Sequence, residues 1–190
     1  MNKKAIRKEI NTLIDNMEDS ILTDLSRRVS ELVIEQPVWK EAKQILLFLS
    51  FGKEFKTDFL IRQALKDQKA VAVPRICGKE MTFHYIKGLD DALETNRWGI
   101  REPLAGSPLW NPEKGKTLML TPGVAFGPEG SRLGRGGGFY DRFLSEKGDV
   151  LKTVGLSFEW QFRDDIPMEE QDRRLDGLST ESRFLIFKAD

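Results

Sequence analysis

The stretch "QILLFLSFGKEFKTDFLIRQALKDQKAVAVP", Gln44 to Pro74, decides the class of fold. Gln44 to Ser50 is a nearly continuous apolar run, the pattern of a strand buried on both faces. Thr57 then stands as a helix cap before apolar residues at three- and four-residue spacings, and "AVAVP", Ala70 to Pro74, is a second buried run. Strand, helix, strand is the unit from which parallel sheets are built.

Upstream, Ile6, Ile10, Leu13, Ile14 and Met17 draw one apolar stripe down a first helix. A second helix is expected with Ser20 as its cap and Ile21, Leu25, Val29, Leu32 and Val33 facing inward, ending before Pro37. Downstream, "MTFHYI" (Met81 to Ile86) alternates like a half-buried strand, residues 99–112 form a loop rich in proline and glycine, and "TLMLTPG" (Thr117 to Gly123) is another core strand. "FYDRFLSEK" fits a helix, and "VLKTVGLSF" and "SRFLIF" fit the last strands. The expectation is one α/β domain over residues 1–190, a mostly parallel sheet flanked by helices, with the N-terminal helices 1–36 packed on it.

Thirty basic and thirty acidic residues cancel, which argues against a general polyanion binder and leaves any bound anion to a local cluster. Neither a leader nor a run of about 18 apolar residues is evident, and the single cysteine, Cys77, has no internal partner. A cytoplasmic monomer that binds neither nucleic acid nor membrane is expected. Cys77 is expected as a buried filler, and the lone His84, in an alternating strand, as structural.

The local cluster is "GPEGSRLGRGGGFYDRFL", Gly127 to Leu144. It lies between a core strand and a helix starting near Gly138, where bare backbone N–H groups and the helix dipole suit phosphate. Spacing excludes two familiar loops. Phe139 stands where GxGxxG needs its last glycine, and Trp110 where "EKGKT" would need the first glycine of a P-loop. A flexible surface loop remains open on the glycines alone. Asp141 has a bland role as a helix-start carboxylate, yet beside a polyphosphate it calls for a divalent cation.

Together with its surroundings, "PGVAFGPEGSRLGRGGGFYDRFL" resembles the signature of the 5-formyltetrahydrofolate cyclo-ligase family. The segments "KKAIR", "FLSFGKEFKT", "PR", "RWGIREP" and "MEEQDRRLDGLST" follow the family's order, so the resemblance covers nearly the whole chain. It implies ATP- and Mg²⁺-dependent closure of 5-formyltetrahydrofolate to 5,10-methenyltetrahydrofolate, releasing ADP and phosphate. An enzyme using the same loop on another substrate, or a non-catalytic domain for a phosphorylated metabolite, are the alternatives.

The resemblance also implies site residues. Lys3, Lys4 and Arg7 match an ATP-contacting segment; their positive charge in a first helical turn opposes the dipole, which favours a ligand role. Arg132, Leu133, Gly134, Arg135, Gly136, Gly137, Gly138, Phe139 and Tyr140 match the nucleotide loop, with Arg132 and Arg135 assigned to phosphate and transition-state charge. Arg135 to Phe139 also face the folate. Leu49 and Glu54 match folate contacts, Glu54 as acceptor from a pterin's amino-pyrimidine edge, and Trp98 offers a flat wall. Asp141 and Asp172 match Mg²⁺ ligands, with Asp176 competing for the second place because Gln171 stands where the family more often has histidine. Ile76 replaces a family tyrosine, and Phe51 is the nearest substitute.

Overall fold

The computed structural model describes residues 2–91, 93–96 and 99–187. The chain opens with α1 (Lys3–Asp15), α2 (Asp19–Ile34) and a short α3 (Pro37–Glu41), then enters β1 (Gln44–Leu46), α4 (Asp58–Lys66) and β2 (Ala70–Cys77). β3 (Glu80–Ile86) returns beside β2, a hairpin of β4 (Leu93–Thr95) and β5 (Arg101–Pro103) follows, and β6 (Thr117–Thr121) re-enters the sheet. A second small hairpin, β7 (Ala125–Phe126) with β8 (Arg132–Leu133), precedes α5 (Phe139–Lys147), and β9 (Leu151–Leu156), β10 (Gly177–Ser179) and β11 (Phe184–Ile186) complete the order.

The main sheet runs β11-β10-β9-β6-β1-β2-β3. Neighbours from β10 through β2 pair in parallel, and only the edge strands β3 and β11 are antiparallel. β1 and β6 lie side by side, and the chain crosses from β1 to β2 on one side but from β6 to β9 on the other, so a crevice opens at the carboxyl ends of these two strands. The apolar run from Gln44 stays in the ladder only to Leu46. Leu47 N still donates to the Ala72 carbonyl at 3.0 Å, and past it side chains take part: Thr57 Oγ1 donates to the Phe48 carbonyl at 2.7 Å, and Ser50 Oγ accepts from Thr57 N at 2.7 Å.

Alternation sorts the core into two faces. Ile45, Leu47, Val71, Val73 and Leu118 pack under α2, α3 and α4, whereas Leu46, Ala72 and Met119 pack under Phe143 and Leu144 of α5. α1 sits elsewhere, on the β7–β8 hairpin, with Ile6 and Ile10 buried against Val124, Ala125 and Leu133. Burying each isoleucine is worth about 1.5–3 kcal/mol, so this apolar seat outweighs any single surface ion pair that α1 makes.

Several expectations need correction. Ser20 lies inside α2, and Glu18 is the N-cap, its side chain accepting from Ser20 Oγ at 3.3 Å and capping no backbone N–H. The buried face of α2 is Leu22, Ser26, Val29, Ser30 and Val33, while Ile21 is exposed. The serines hid that stripe: each hydroxyl donates to the carbonyl four residues back at 2.6 Å, which satisfies it and lets a polar residue face the core. Leu13 is exposed on α1, and Cys77 is exposed at the end of β2 rather than buried. His84 is buried as a structural residue, its ring between Thr82 Oγ1 and the Ser107 carbonyl. Strands β4, β5, β7, β8 and β10 are too short, at two or three residues each, to carry a periodic signal. Among the described residues no helix is long and apolar enough to cross a membrane.

Gly130 closes the turn between β7 and β8 at φ +81°, and a Cβ there would stand 2.2 Å from the Leu175 carbonyl oxygen. Gly130→Ala should therefore lower stability by about 2–4 kcal/mol, strain and backbone clash together. Gly148 has φ −54° and open space around it, so Gly148→Ala should be neutral or stabilising by up to about 1 kcal/mol. Chemical denaturation of both variants beside the parent checks the contrast.

Candidate functional site

The crevice at the end of β1 and β6 opens into a cleft of about 640 Å³, within the usual size of small-molecule sites. One wall is the glycine loop. β8 carries Arg132 and Leu133 to its edge, Gly136 at φ +104° turns the backbone, and Gly138 at φ +66° is the N-cap of α5 with no side chain over the helix end. The first N–H groups of α5 thus face a cleft and not a cap. The expected junction of strand and helix is present, with the β7–β8 hairpin inserted after β6.

Arg132 and Arg135 occupy different places. Arg132 is buried; Nη1 donates to the Pro122 carbonyl at 3.4 Å, Nη2 forms an ion pair with Asp141 Oδ2 at 3.0 Å, and the guanidinium lies 5.4 Å from the centre of the Tyr140 ring. Its Nε and Nη2 have no hydrogen bond of good geometry among the described residues. A buried cation with unspent donors at a cleft suits an anionic ligand. Arg135 is largely exposed and reaches across the cleft, its Nη2 2.6 Å from Glu54 Oε1. The other Glu54 oxygen accepts from Phe51 N at 3.1 Å, so the 51–54 turn aims the carboxylate inward. Leu49 is buried on the same wall.

α1 lines the cleft beside that loop. Lys3 and Arg7, one turn apart, both line the cleft, while Lys4 is rotated outward and exposed. Of the three cations expected at the ATP, two therefore line the cleft. Arg7 Nε donates to the Gly134 carbonyl at 2.8 Å, which fixes the start of the glycine loop to the helix. Lys3 Nζ lies 2.6 Å from Asp172 and 3.3 Å from Glu169. Burial works against the Lys3 charge, but its bonds to the two carboxylates prevail and raise its pKa above the ordinary lysine value.

Asp172 and Asp141 both line the cleft and are linked through the intervening backbone: Arg173 N donates to Asp141 Oδ1 at 3.3 Å. Asp176 is not their equal. Its Oδ2 accepts from Thr153 N at 2.8 Å and Thr153 Oγ1 at 2.9 Å, which ties it to β9 as a structural carboxylate. Among the described residues no three His, Cys, Asp or Glu side chains cluster to hold a metal unaided. Trp98 lies outside the described residues. Ile76 lines the cleft, as does Phe51, whose ring would meet a Cβ on Gly99 at 3.2 Å. Sequence reasoning missed Glu169 and Arg173; the acidic and basic run "EEQDRR" was the available signal, read for Asp172 alone.

The sequence model of the 5-formyltetrahydrofolate cyclo-ligase family matches residues 1–181. A probable 5-formyltetrahydrofolate cyclo-ligase of Schizosaccharomyces pombe is 30% identical over 200 residues, covering 97% of this chain and 98% of that one. The 5-formyltetrahydrofolate cyclo-ligase of Haemophilus influenzae is 31% identical over 175 residues, covering 90% and 92%. The NMR structure of Aquifex aeolicus 5,10-methenyltetrahydrofolate synthetase superposes with a TM-score of 0.85 at 28% identity, covering 100% of this chain and 95% of that one.

Tyr140, in the first turn of α5, gives the cleft a titration signature. Burial chiefly, and the Glu54 charge next, push its phenol above the ordinary value, with Arg132 opposing. The folded state thus holds this proton more tightly than the unfolded chain. That contribution to stability is complete below about pH 10 and is lost as pH rises through the folded value. Tyr140→Phe should flatten the loss of stability above about pH 10, read as denaturation midpoints at neutral and alkaline pH.

Proposed function

The chain belongs to the 5-formyltetrahydrofolate cyclo-ligase family, and we propose that it closes 5-formyltetrahydrofolate to 5,10-methenyltetrahydrofolate at the expense of ATP, in the cleft between α1 and the 49–54 turn. The observation that carries this reading is the Arg135–Glu54 contact of 2.6 Å, which brings the glycine loop and the 49–54 turn together over one cavity. Chemistry between a nucleotide and a pterin needs that adjacency.

On this reading Lys3, Arg7, Arg132 and the 134–138 backbone hold the triphosphate, with the N-terminus of α5 behind it. Lys4, being turned outward, adds only long-range charge. Leu49 packs on the pterin, Glu54 accepts from its amino-pyrimidine edge, and Phe139 adds aromatic surface. Asp141 and Asp172 would hold Mg²⁺. Two hard carboxylates suit that ion, which is commonly bound by one or two carboxylates together with substrate phosphates and water. When bound, Mg²⁺ supplies charge neutralisation to the phosphate oxygens.

The formyl oxygen attacks the γ-phosphorus as the bond to ADP breaks, with Arg132 and Arg135 facing the charge that develops. N10 then adds to the activated carbon and gives up its proton, and the carbon–oxygen bond breaks with its electron pair leaving on inorganic phosphate. The product is the methenyl amidinium. The protein contributes position and charge, so a side-chain nucleophile has no part in the sequence of steps.

Purified protein with ATP, Mg²⁺ and 5-formyltetrahydrofolate should develop the methenyl absorbance, and a total lack of turnover would overturn the assignment. Asp141→Asn should cut kcat by on the order of 10²-fold. Glu54→Gln should behave differently in two assays: it weakens folate binding, yet without folate it raises affinity for a non-hydrolysable ATP analogue about two- to fivefold. The gain arises because Arg135 no longer has to leave a partially exposed ion pair worth up to about 1 kcal/mol. Calorimetric titration with the analogue checks the sign.

A further inference from the structure

The β4–β5 hairpin supplies Asn96, Ile100, Arg101 and Glu102 to the cleft, yet it is a two-stranded sheet of its own. Among the described residues no backbone hydrogen bond joins it to the main sheet. Two strands of three residues cannot hold a position by themselves. The main polar attachment comes from Arg75. Its neighbours on β2, Pro74 and Ile76, line the cleft, whereas Arg75 does not; strand alternation sends it to the opposite face. There Nη1 donates to Glu94 Oε1 at 2.5 Å and to the Pro103 carbonyl at 2.5 Å, and lies 3.3 Å from Glu102 Oε1. One guanidinium nitrogen thus reaches an oxygen from each strand of the hairpin and the carbonyl at its end.

Glu102 is buried, and its other oxygen accepts from Asn96 Nδ2 at 3.2 Å. The Asn96 side-chain oxygen in turn accepts from Ile100 N at 3.1 Å. A continuous chain of contacts therefore runs from the sheet, through Arg75 and Glu102, to the turn that faces the ligand. Other links to the hairpin are less directional: Leu93 packs on the core, Phe51 meets Gly99, and Arg101 lies 3.4 Å from Asp58.

We propose that Arg75 is a positioning residue for the folate side of the reaction, setting the hairpin wall from behind without touching substrate. The proposal rests on the assignment of the 49–54 side of the cleft to the folate. The hairpin adjoins that side through Phe51, whose ring lies against Gly99.

Arg75→Met should raise KM for 5-formyltetrahydrofolate about tenfold, with KM for ATP within about twofold and kcat within about threefold of the parent. Arg75→Lys should recover part of the loss, since one ammonium can still reach one carboxylate but lacks the planar fork. Amide exchange should show Gly99 and Ile100 opening about tenfold faster in Arg75→Met, with β1 and β6 unchanged. Should Arg75→Met fail to fold, Glu94→Gln, on the exposed side of the hairpin, should still raise the folate KM about two- to fourfold. An unchanged folate KM, a parallel rise for ATP, or unchanged exchange at Gly99 would overturn the role of Arg75. A parent protein without folate turnover would instead overturn the assignment of the cleft.

Discussion

Everything at this site depends on where parallel strands must end. β1 lies between β2 and β6, both parallel to it, and the chain departs from β1 toward β2 but from β6 toward β9, on the opposite side. At that point the ladder cannot continue, because the segments after β1 and β6 diverge, and a cavity floored by strand ends results. The residues that follow each end then become walls: Phe48 to Phe55 after β1, Pro122 to Val124 after β6, and Leu156 to Phe158 after β9. A packed core on both faces makes that floor rigid.

The chain also settles its charges by pairing them inside the cleft. Lys3 with Asp172, Arg132 with Asp141, and Arg135 with Glu54 match every carboxylate assigned to a ligand with one of the cations assigned to phosphate. A buried unpaired charge is costly, so a protein without ligands is most stable with such groups satisfied internally. Ligand binding then becomes an exchange of partners, with affinity set by the difference between two good arrangements.

How much of this was legible in the sequence depends on the length of each signal. The unit from Gln44 to Pro74 and the start of α5 at Gly138 could be read because several residues in register all indicated the same element. The two-residue strands β7 and β8 could not be, since they exist through each other and through distant segments, α1 and residues 162–163 among them. At the site, residue types were legible and directions were not. Lys4 and Lys3 are adjacent in sequence and face differently; Asp172 and Asp176 carry the same carboxylate, yet one lines the cleft and the other bonds β9. Arg75 could be seen within a "PR" pair, but only the folded hairpin reveals what its guanidinium holds.

The seat of α1 has a consequence for synthesis. Its apolar residues rest on Val124, Ala125 and Leu133, Arg7 meets Gly134 127 residues later, and Lys3 meets Asp172 169 residues later. At about 5–20 residues per second, a nascent chain spends roughly 6–25 seconds with Ile6 and Ile10 lacking their final surroundings. This helix is thus made long before it can dock, and its apolar face stays uncovered until residues 124–133 have been made.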